Sequence, residues 1–238
     1  MKLQDSVAVI TGASSGIGEA TARELRQAGM RLVVSARREE RLTELAKEIG
    51  DTTIIAGDIA DPSLPDELID AATSLYDRCD VVINNAGILE MGSIEEIDIE
   101  RVALMVRVNV EAAFRMAYTA MRHFKKTGSG YLINVSSILG TKVRPTAGAY
   151  AGTKYAIEAL TEALRMEVAQ TDIGVGCIEP GLVVTELHNH WEVHPKDSLN
   201  IPKPLEPADI ARGIRFMLEQ PAHVRVPRML MTPSAQGL

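Results

Sequence analysis

Cysteine is scarce in this chain: among 238 residues only Cys79 and Cys177 carry thiols, far apart and outside any C-x-x-C pair. That excludes a disulfide framework and a cysteine-based zinc site, and it makes a reducing compartment, the cytoplasm, the expectation. Aromatic residues are also few, 4% with a single Trp, so a core must be assembled mainly from Val, Ile, Leu, Ala and Met. Positive charge is in deficit. Lys and Arg number 25 against 32 Asp and Glu, and a net charge of −7 leaves no electrostatic footprint for nucleic acid or an anionic membrane. Long apolar runs are missing too: the run at 7–10 is too short for a secretory signal, and no segment approaches transmembrane length. With 46% hydrophobic residues and 24% charged, the composition still suffices for a sizeable core and argues against disorder.

What is present is an alternation of short β-branched runs with longer stretches of helical period. Strands are expected at 7–11, 31–35, 53–57, 81–84, 131–136, 175–179 and 228–232. Most are apolar throughout, the pattern of strands covered on both faces. Helices are expected at 17–28, 38–49, 65–76, 99–126, 150–170 and 207–220. This order implies βαβ units with right-handed crossovers, an α/β fold with a doubly wound parallel sheet. No repeat or linker divides the chain, so residues 1–238 are expected to form a single domain. The helix at 99–126 and the one after Tyr150 carry wider apolar arcs than one sheet face requires. An ordinary broad core face is one explanation; a second copy of the chain is the other.

The first strand leads into Thr11-Gly12-Ala13-Ser14-Ser15-Gly16-Ile17-Gly18 and then a helix. Glycines let the backbone turn sharply and approach a pyrophosphate, and a helix N-terminus offers free N–H groups. The spacing is G-x-x-x-G-x-G rather than G-x-G-x-x-G, and the missing G-K-[ST] ending excludes a P-loop. A plain Gly-rich turn is the alternative, but its place between strand and helix favours a nucleotide. The second strand ends in Ser35-Ala36-Arg37-Arg38, with cations where a ribose-binding carboxylate would mark NAD. Guanidinium groups suit a 2′-phosphate, so NADP (NADPH) is favoured over NAD, against the alternative that Arg37 and Arg38 merely open a solvated helix.

Tyr150-Ala151-Gly152-Thr153-Lys154 places a phenol and an ammonium on one helical face. The ammonium is expected to lower the phenol pKa toward the working range, fitting it to protonate an alkoxide or deprotonate an alcohol. Alone, such a pair is common and usually just exposed.

Taken together, Thr11 to Gly18, Asn84-Asn85-Ala86-Gly87, Asn109, Ser137, Tyr150, Lys154 and Pro180-Gly181 resemble the short-chain dehydrogenase/reductase family. The spacings agree, 28 residues from Asn109 to Ser137 and 13 from Ser137 to Tyr150, and the likeness runs from about 3 to 187 and more loosely to 220. The resemblance implies a seven-stranded Rossmann-type sheet, a homo-oligomer (dimer or tetramer) and oxidoreduction of a small carbonyl or alcohol substrate. It also implies a catalytic tetrad. Tyr150 would be the general acid/base, Lys154 would hold the nicotinamide ribose, Ser137 would bond the substrate oxygen, and Asn109 would help hold a relay water. For the cofactor it implies Gly12, Ser14, Ser15, Gly16, Ile17 and Gly18 at the pyrophosphate, Asp58 and Ile59 at the adenine, and Asn85, Ala86 and Gly87 at the ribose. Pro180, Gly181, Val183 and Thr185 would lie at the carboxamide. Asn84 is expected to hydrogen-bond at the sheet end rather than touch substrate.

The C-terminal part departs from the commonest family ending, which has an Asp-Gly-Gly turn. Met229-Leu230-Met231-Thr232-Pro233 looks more like NADP-dependent reductases of small hydroxy acids and aldehydes. Substrate choice is expected in a lid at about 186–206, which holds His188, His190, Trp191 and His194. The H-x-H-x-x-x-H spacing would suit zinc, but three prolines make a closing lid the better reading, and no metal is expected. Leu139, Arg144, His188 and Trp191 are the candidate substrate contacts, a solvated surface role being the alternative for Arg144. Two other readings stay open: a 3-oxoacyl thioester reductase, and a non-catalytic NADP-binding sensor.

Overall fold

The computed structural model describes residues 1–189 and 195–237. Its elements run β1 (Val7–Thr11), α1 (Gly16–Gln27), β2 (Arg31–Ala36), α2 (Glu39–Ile49), β3 (Thr52–Ala56), α3 (Leu64–Tyr76) and β4 (Val81–Asn84). They continue with α4 (Ile99–Val106), a π-helical stretch (Arg107–Ala112), α5 (Ala113–Thr127), β5 (Ser129–Val135), α6 (Gly148–Glu167) and β6 (Asp172–Pro180). The single turn α7 (Pro195–Ser198), α8 (Pro207–Glu219) and β7 (Arg228–Met231) complete the series.

The seven strands form one parallel sheet in the order β3-β2-β1-β4-β5-β6-β7. Every residue of β1 is buried, because the strand has helices on both faces. Ala8 and Ile10 pack with Leu25, Ile210 and Ile214 from α1 and α8, while Val7 and Val9 pack with Leu68, Met116 and Leu160 from α3, α5 and α6. The strand order reverses between β1 and β4. The carboxyl ends of these two neighbours therefore open a crevice, the place where doubly wound sheets bind ligands.

The expected helix at 99–126 is three pieces. α4 begins at Asp98, whose side chain accepts from the N–H groups of Glu100 and Arg101. The π-helical stretch then widens the backbone before α5, and Asn109 sits within it. Such insertions turn side chains off the regular helical face and recur at functional sites.

A buried polar chain locks the sheet to these helices. Asn84 donates to Ala113 O and to Asn134 Oδ1, each at 2.9 Å, and Asn134 donates to Thr161 Oγ1 at 2.9 Å. Asn84 thus has the sheet-end role expected of it. Among the described residues, no helix is long and apolar enough to cross a membrane.

Candidate active site

The turn after β1 is held by its neighbour strand. Thr11 Oγ1 accepts from the backbone N–H groups of Asn85 and Ala86 at 3.0 Å, and Asn85 Nδ2 returns a bond to Thr11 O at 2.8 Å. Gly12 and Gly16 have positive φ, 68° and 57°. Gly18 serves another purpose. A Cβ there would meet Gly12 O at 2.4 Å, so its missing side chain lets α1 lie against the turn, and it does not reach the cleft wall.

Ser15 caps α1 without a side-chain bond, leaving the first N–H groups of the helix facing a cleft of about 580 Å³. Gly12, Ser14, Ser15, Gly16 and Ile17 line this cleft, as do Arg37, Arg38, Asp58, Ile59, Asn85, Ala86 and Gly87. Free helix N–H groups, with the Arg38 guanidinium beside them and Arg37 on the same cleft, suit a dinucleotide phosphate. Arg38 donates to Ser15 Oγ at 2.7 Å and to Ser14 Oγ at 3.1 Å. Its other face donates to Glu186 at 2.7 Å, and Arg41 donates to the second oxygen of the same carboxylate at 2.5 Å. Arg37 is exposed and makes no side-chain bond among the described residues.

A second, largely apolar pocket of about 320 Å³ adjoins the cleft. Ile17, Leu89, Ser136, Tyr150, Thr185 and Leu187 border both, so the two meet at Tyr150. Pro180, Gly181 and Val183 line this pocket rather than the cleft, and Leu139, Arg144 and His188 line it too.

The four residues of the expected tetrad are all buried, Asn109 at 2% exposure, Lys154 at 7%, and Ser137 and Tyr150 at 8%. Burial pushes the Tyr150 phenol up to about 12, opposed by its hydrogen bond with Ser137. Burial also brings the Lys154 ammonium down to about 8, opposed by Cys177 and Glu158. The expected lowering of the phenol by Lys154 is not what this arrangement does. Lys154 Nζ donates to Val135 O at 2.9 Å and lies 5.8 Å from the centre of the Tyr150 ring, so desolvation outweighs the charge. Asn109 is likewise engaged: it accepts from Ile88 N at 2.9 Å and donates to Ile88 O at 2.8 Å.

The segment after Thr185 is tied at both ends. Val184 N donates to Leu205 O and Leu205 N donates to Leu182 O, each at 2.9 Å, and Leu187, His188, Pro195, Leu199 and Ile201 between them face the pocket. Trp191, His190 and His194 lie outside the described residues.

Two participants, Glu186 and Gln236, escaped the sequence reading, and a third, Asn85, has a side-chain role it did not give. Glu186 meets Arg38 only in the fold, and Asn85 uses its side chain as well as its backbone. Gln236, on the chain ending, accepts from Leu182 N at 2.8 Å and lines the pocket with Ala235 and Gly237. Only the unusual ending itself hinted at the last.

The fold is a doubly wound α/β sheet with a cleft at its switch point. The short-chain dehydrogenase family model matches residues 6–195, and the chain belongs to that family of oxidoreductases. It is similar to an uncharacterised oxidoreductase of Staphylococcus epidermidis, 33% identical over 233 residues that cover 98% of this chain and 99% of the relative. Among solved structures it resembles the closed form of a serine dehydrogenase complexed with NADP+, with TM-score 0.91 and 26% identity over 98% of this chain and 96% of the other. It also resembles a 3-ketoacyl-(acyl-carrier-protein) reductase from Brucella melitensis complexed with NADH, with TM-score 0.89 and 29% identity over 98% and 99% of the two chains.

Proposed function

We infer that this protein is an NADP-dependent oxidoreductase that interconverts a small carbonyl compound and its alcohol. The observation that carries this reading is the junction at Tyr150, where a phosphate-suited cleft meets an apolar pocket beside Ser137 and Lys154. When bound, the dinucleotide supplies or accepts the hydride.

The remaining work falls to the chain. The Ser137 hydroxyl orients the carbonyl oxygen, and the Tyr150 phenol gives that oxygen its proton as the carbon receives two electrons and a hydrogen. A phenol held neutral by burial suits the acid of a reduction. Lys154 holds the ribose and steadies the phenolate that remains. Asn109 acts chiefly by fixing the Ile88 backbone on the cleft wall, since both its amide groups are bonded there. The free Arg37 and the Ser-bound Arg38 receive the 2′-phosphate.

The sheltered pocket and lid favour a small substrate, and the exposed Leu104, Val106, Tyr118, Tyr155 and Met166 on α4–α6 fit a homo-oligomer in the cytoplasm. The likeness to the 3-ketoacyl reductase favours one second reading, reduction of a 3-oxoacyl thioester. The test is oxidation of NADPH and NADH by purified protein against aldehydes, ketones, oxo acids and thioesters, with Tyr150→Phe as control. NADPH-dependent turnover that falls roughly 100- to 10,000-fold in the variant supports the reading. Tight NADPH binding with no turnover of any carbonyl would favour a sensor.

A further inference from the structure

The charges around the apolar pocket do not match those of the chain. The molecule has seven more acidic than basic residues, yet the pocket wall carries Lys142, Arg144 and His188 and, among the described residues, no Asp or Glu. Neither Lys142 nor Arg144 has an acidic partner among the described residues. By contrast, two of the three guanidinium groups on the adjoining cofactor cleft are ion-paired, Arg38 to Glu186 and Arg101 to Glu90. Arg144 is half-buried, and its Nε is shut away from solvent with no hydrogen-bond partner. A buried donor left unpaired is costly, and a guanidinium fork pairs best with a carboxylate. The backbone beside it is strained in the same sense. Thr146 is a β-branched residue at φ 66°, held by a bond from Gly92 N to its carbonyl at 3.0 Å.

We propose that the pocket takes a substrate with a carboxylate near its reacting carbonyl or alcohol, and no ammonium beside it, the carboxylate being received by Arg144 and Lys142. This rests on the reading of the pocket as the substrate site of an oxidoreductase. The apolar walls at Leu89, Met91, Leu199 and Ile201 hold the carbon skeleton. Among the described residues the wall holds no carboxylate to receive an amino group, so a plain oxo or hydroxy acid fits where an amino acid does not. A thioester, whose carboxyl carbon carries no charge, leaves Arg144 as it is.

The test uses the whole chain with NADPH and three acids whose carboxylate stands progressively further from the ketone (pyruvate, acetoacetate, levulinate), each against its methyl ester. In the reverse direction 3-hydroxypropanoate is compared with serine, which differs only by the amine. At least one acid is expected to exceed its ester about tenfold or more in kcat/KM, and 3-hydroxypropanoate to exceed serine. Arg144→Met should lower the acid-to-ester ratio by roughly 10- to 100-fold, mainly through KM, with Arg144→Lys recovering part of it and Lys142→Met losing less because Lys142 is exposed. Lys126→Met, on the far end of α5, controls for net charge.

Esters or thioesters that match the acids throughout, or a ratio that Arg144→Met leaves unmoved, would overturn the proposal while leaving the oxidoreductase reading intact. Calorimetric titration with isobutyrate and isobutyramide needs no turnover. Binding of the acid that depends on Arg144, with no carbonyl reduced, would uphold the carboxylate site and overturn the oxidoreductase reading. Equal binding of acid and amide would overturn the site.

Discussion

The Glu186 carboxylate accepts from Arg38 at 2.7 Å across 148 residues of chain, joining the segment after Thr185 to the end of β2. The same guanidinium is the one proposed to receive a 2′-phosphate, and on that reading an anionic cofactor and Glu186 compete for it. Both partners are partly exposed, and a pair of that kind contributes at most about 1 kcal/mol. Glu186→Gln should therefore tighten NADPH binding by about three- to fivefold and leave NADH nearly unchanged, as read by fluorescence titration. Arg38→Ala should weaken NADPH roughly 10- to 100-fold with little effect on NADH. Equal loss of both cofactors would mean that Arg38 serves the turn through Ser14 and Ser15 and not the 2′-phosphate.

The Tyr150–Lys154 pair sets a pH dependence. The phenol stays protonated up to about 12, but the Lys154 ammonium loses its proton near 8. On the proposed mechanism reduction needs the protonated phenol and the ammonium together, so kcat/KM for reduction should be level at neutral pH and fall as pH rises through about 8. Lys154→Arg, which keeps its charge, should move that fall upward while lowering the plateau. A profile unchanged in this variant would assign the titration to another group.

Lys154 also costs the ligand-free fold stability. In the unfolded chain it binds its proton up to about 10.5, in the folded one only up to about 8. Between these values the unfolded state holds more protons, so this contribution rises with pH; the cost is complete below about 8 and gone above about 10.5. Each pKa unit corresponds to about 1.4 kcal/mol, and loss of the bond to Val135 takes back about 1 kcal/mol. Lys154→Met should stabilise the protein at pH 7 by on the order of 2 kcal/mol, several degrees in Tm, while abolishing turnover. A Tm that falls would show the Val135 bond to be the larger effect.

Gly18→Ala tests the packing of α1 on the turn. The added Cβ would lie 2.4 Å from Gly12 O and 2.6 Å from Asn85 Nδ2, and the first contact is with backbone that cannot step aside. We expect a loss of about 1–3 kcal/mol in urea unfolding and weaker binding of both cofactors. An unchanged midpoint would mean that α1 tilts freely at its start.

Much of this architecture was legible along the chain. β1 is buried in every position and apolar in all but Thr11 because both its faces are covered, and the runs at 7–11 and 81–84 agree with the observed strands. Other strands are longer than their apolar centres: β6 begins at Asp172, and β5 at Ser129, because ladder bonds extend a strand past its buried residues. The π-helical stretch around Asn109 was invisible, since periodicity cannot register one widened turn.

The sequence by itself determined what depends on neighbours in the chain. It specified the Gly-rich turn between β1 and α1, the shared face of Tyr150 and Lys154, and the Arg37-Arg38 pair at the end of β2, because backbone geometry and helical spacing act over a few residues. Tertiary structure alone decided what depends on proximity and on the exclusion of water. It brought Glu186 to Arg38 and Gln236 to Leu182, left Arg144 without an acid among the described residues of the pocket wall, and buried Tyr150 deeply enough that desolvation outweighs the nearby ammonium. Charges and pKa values respond to everything within a few ångströms, and only the folded chain specifies what lies there.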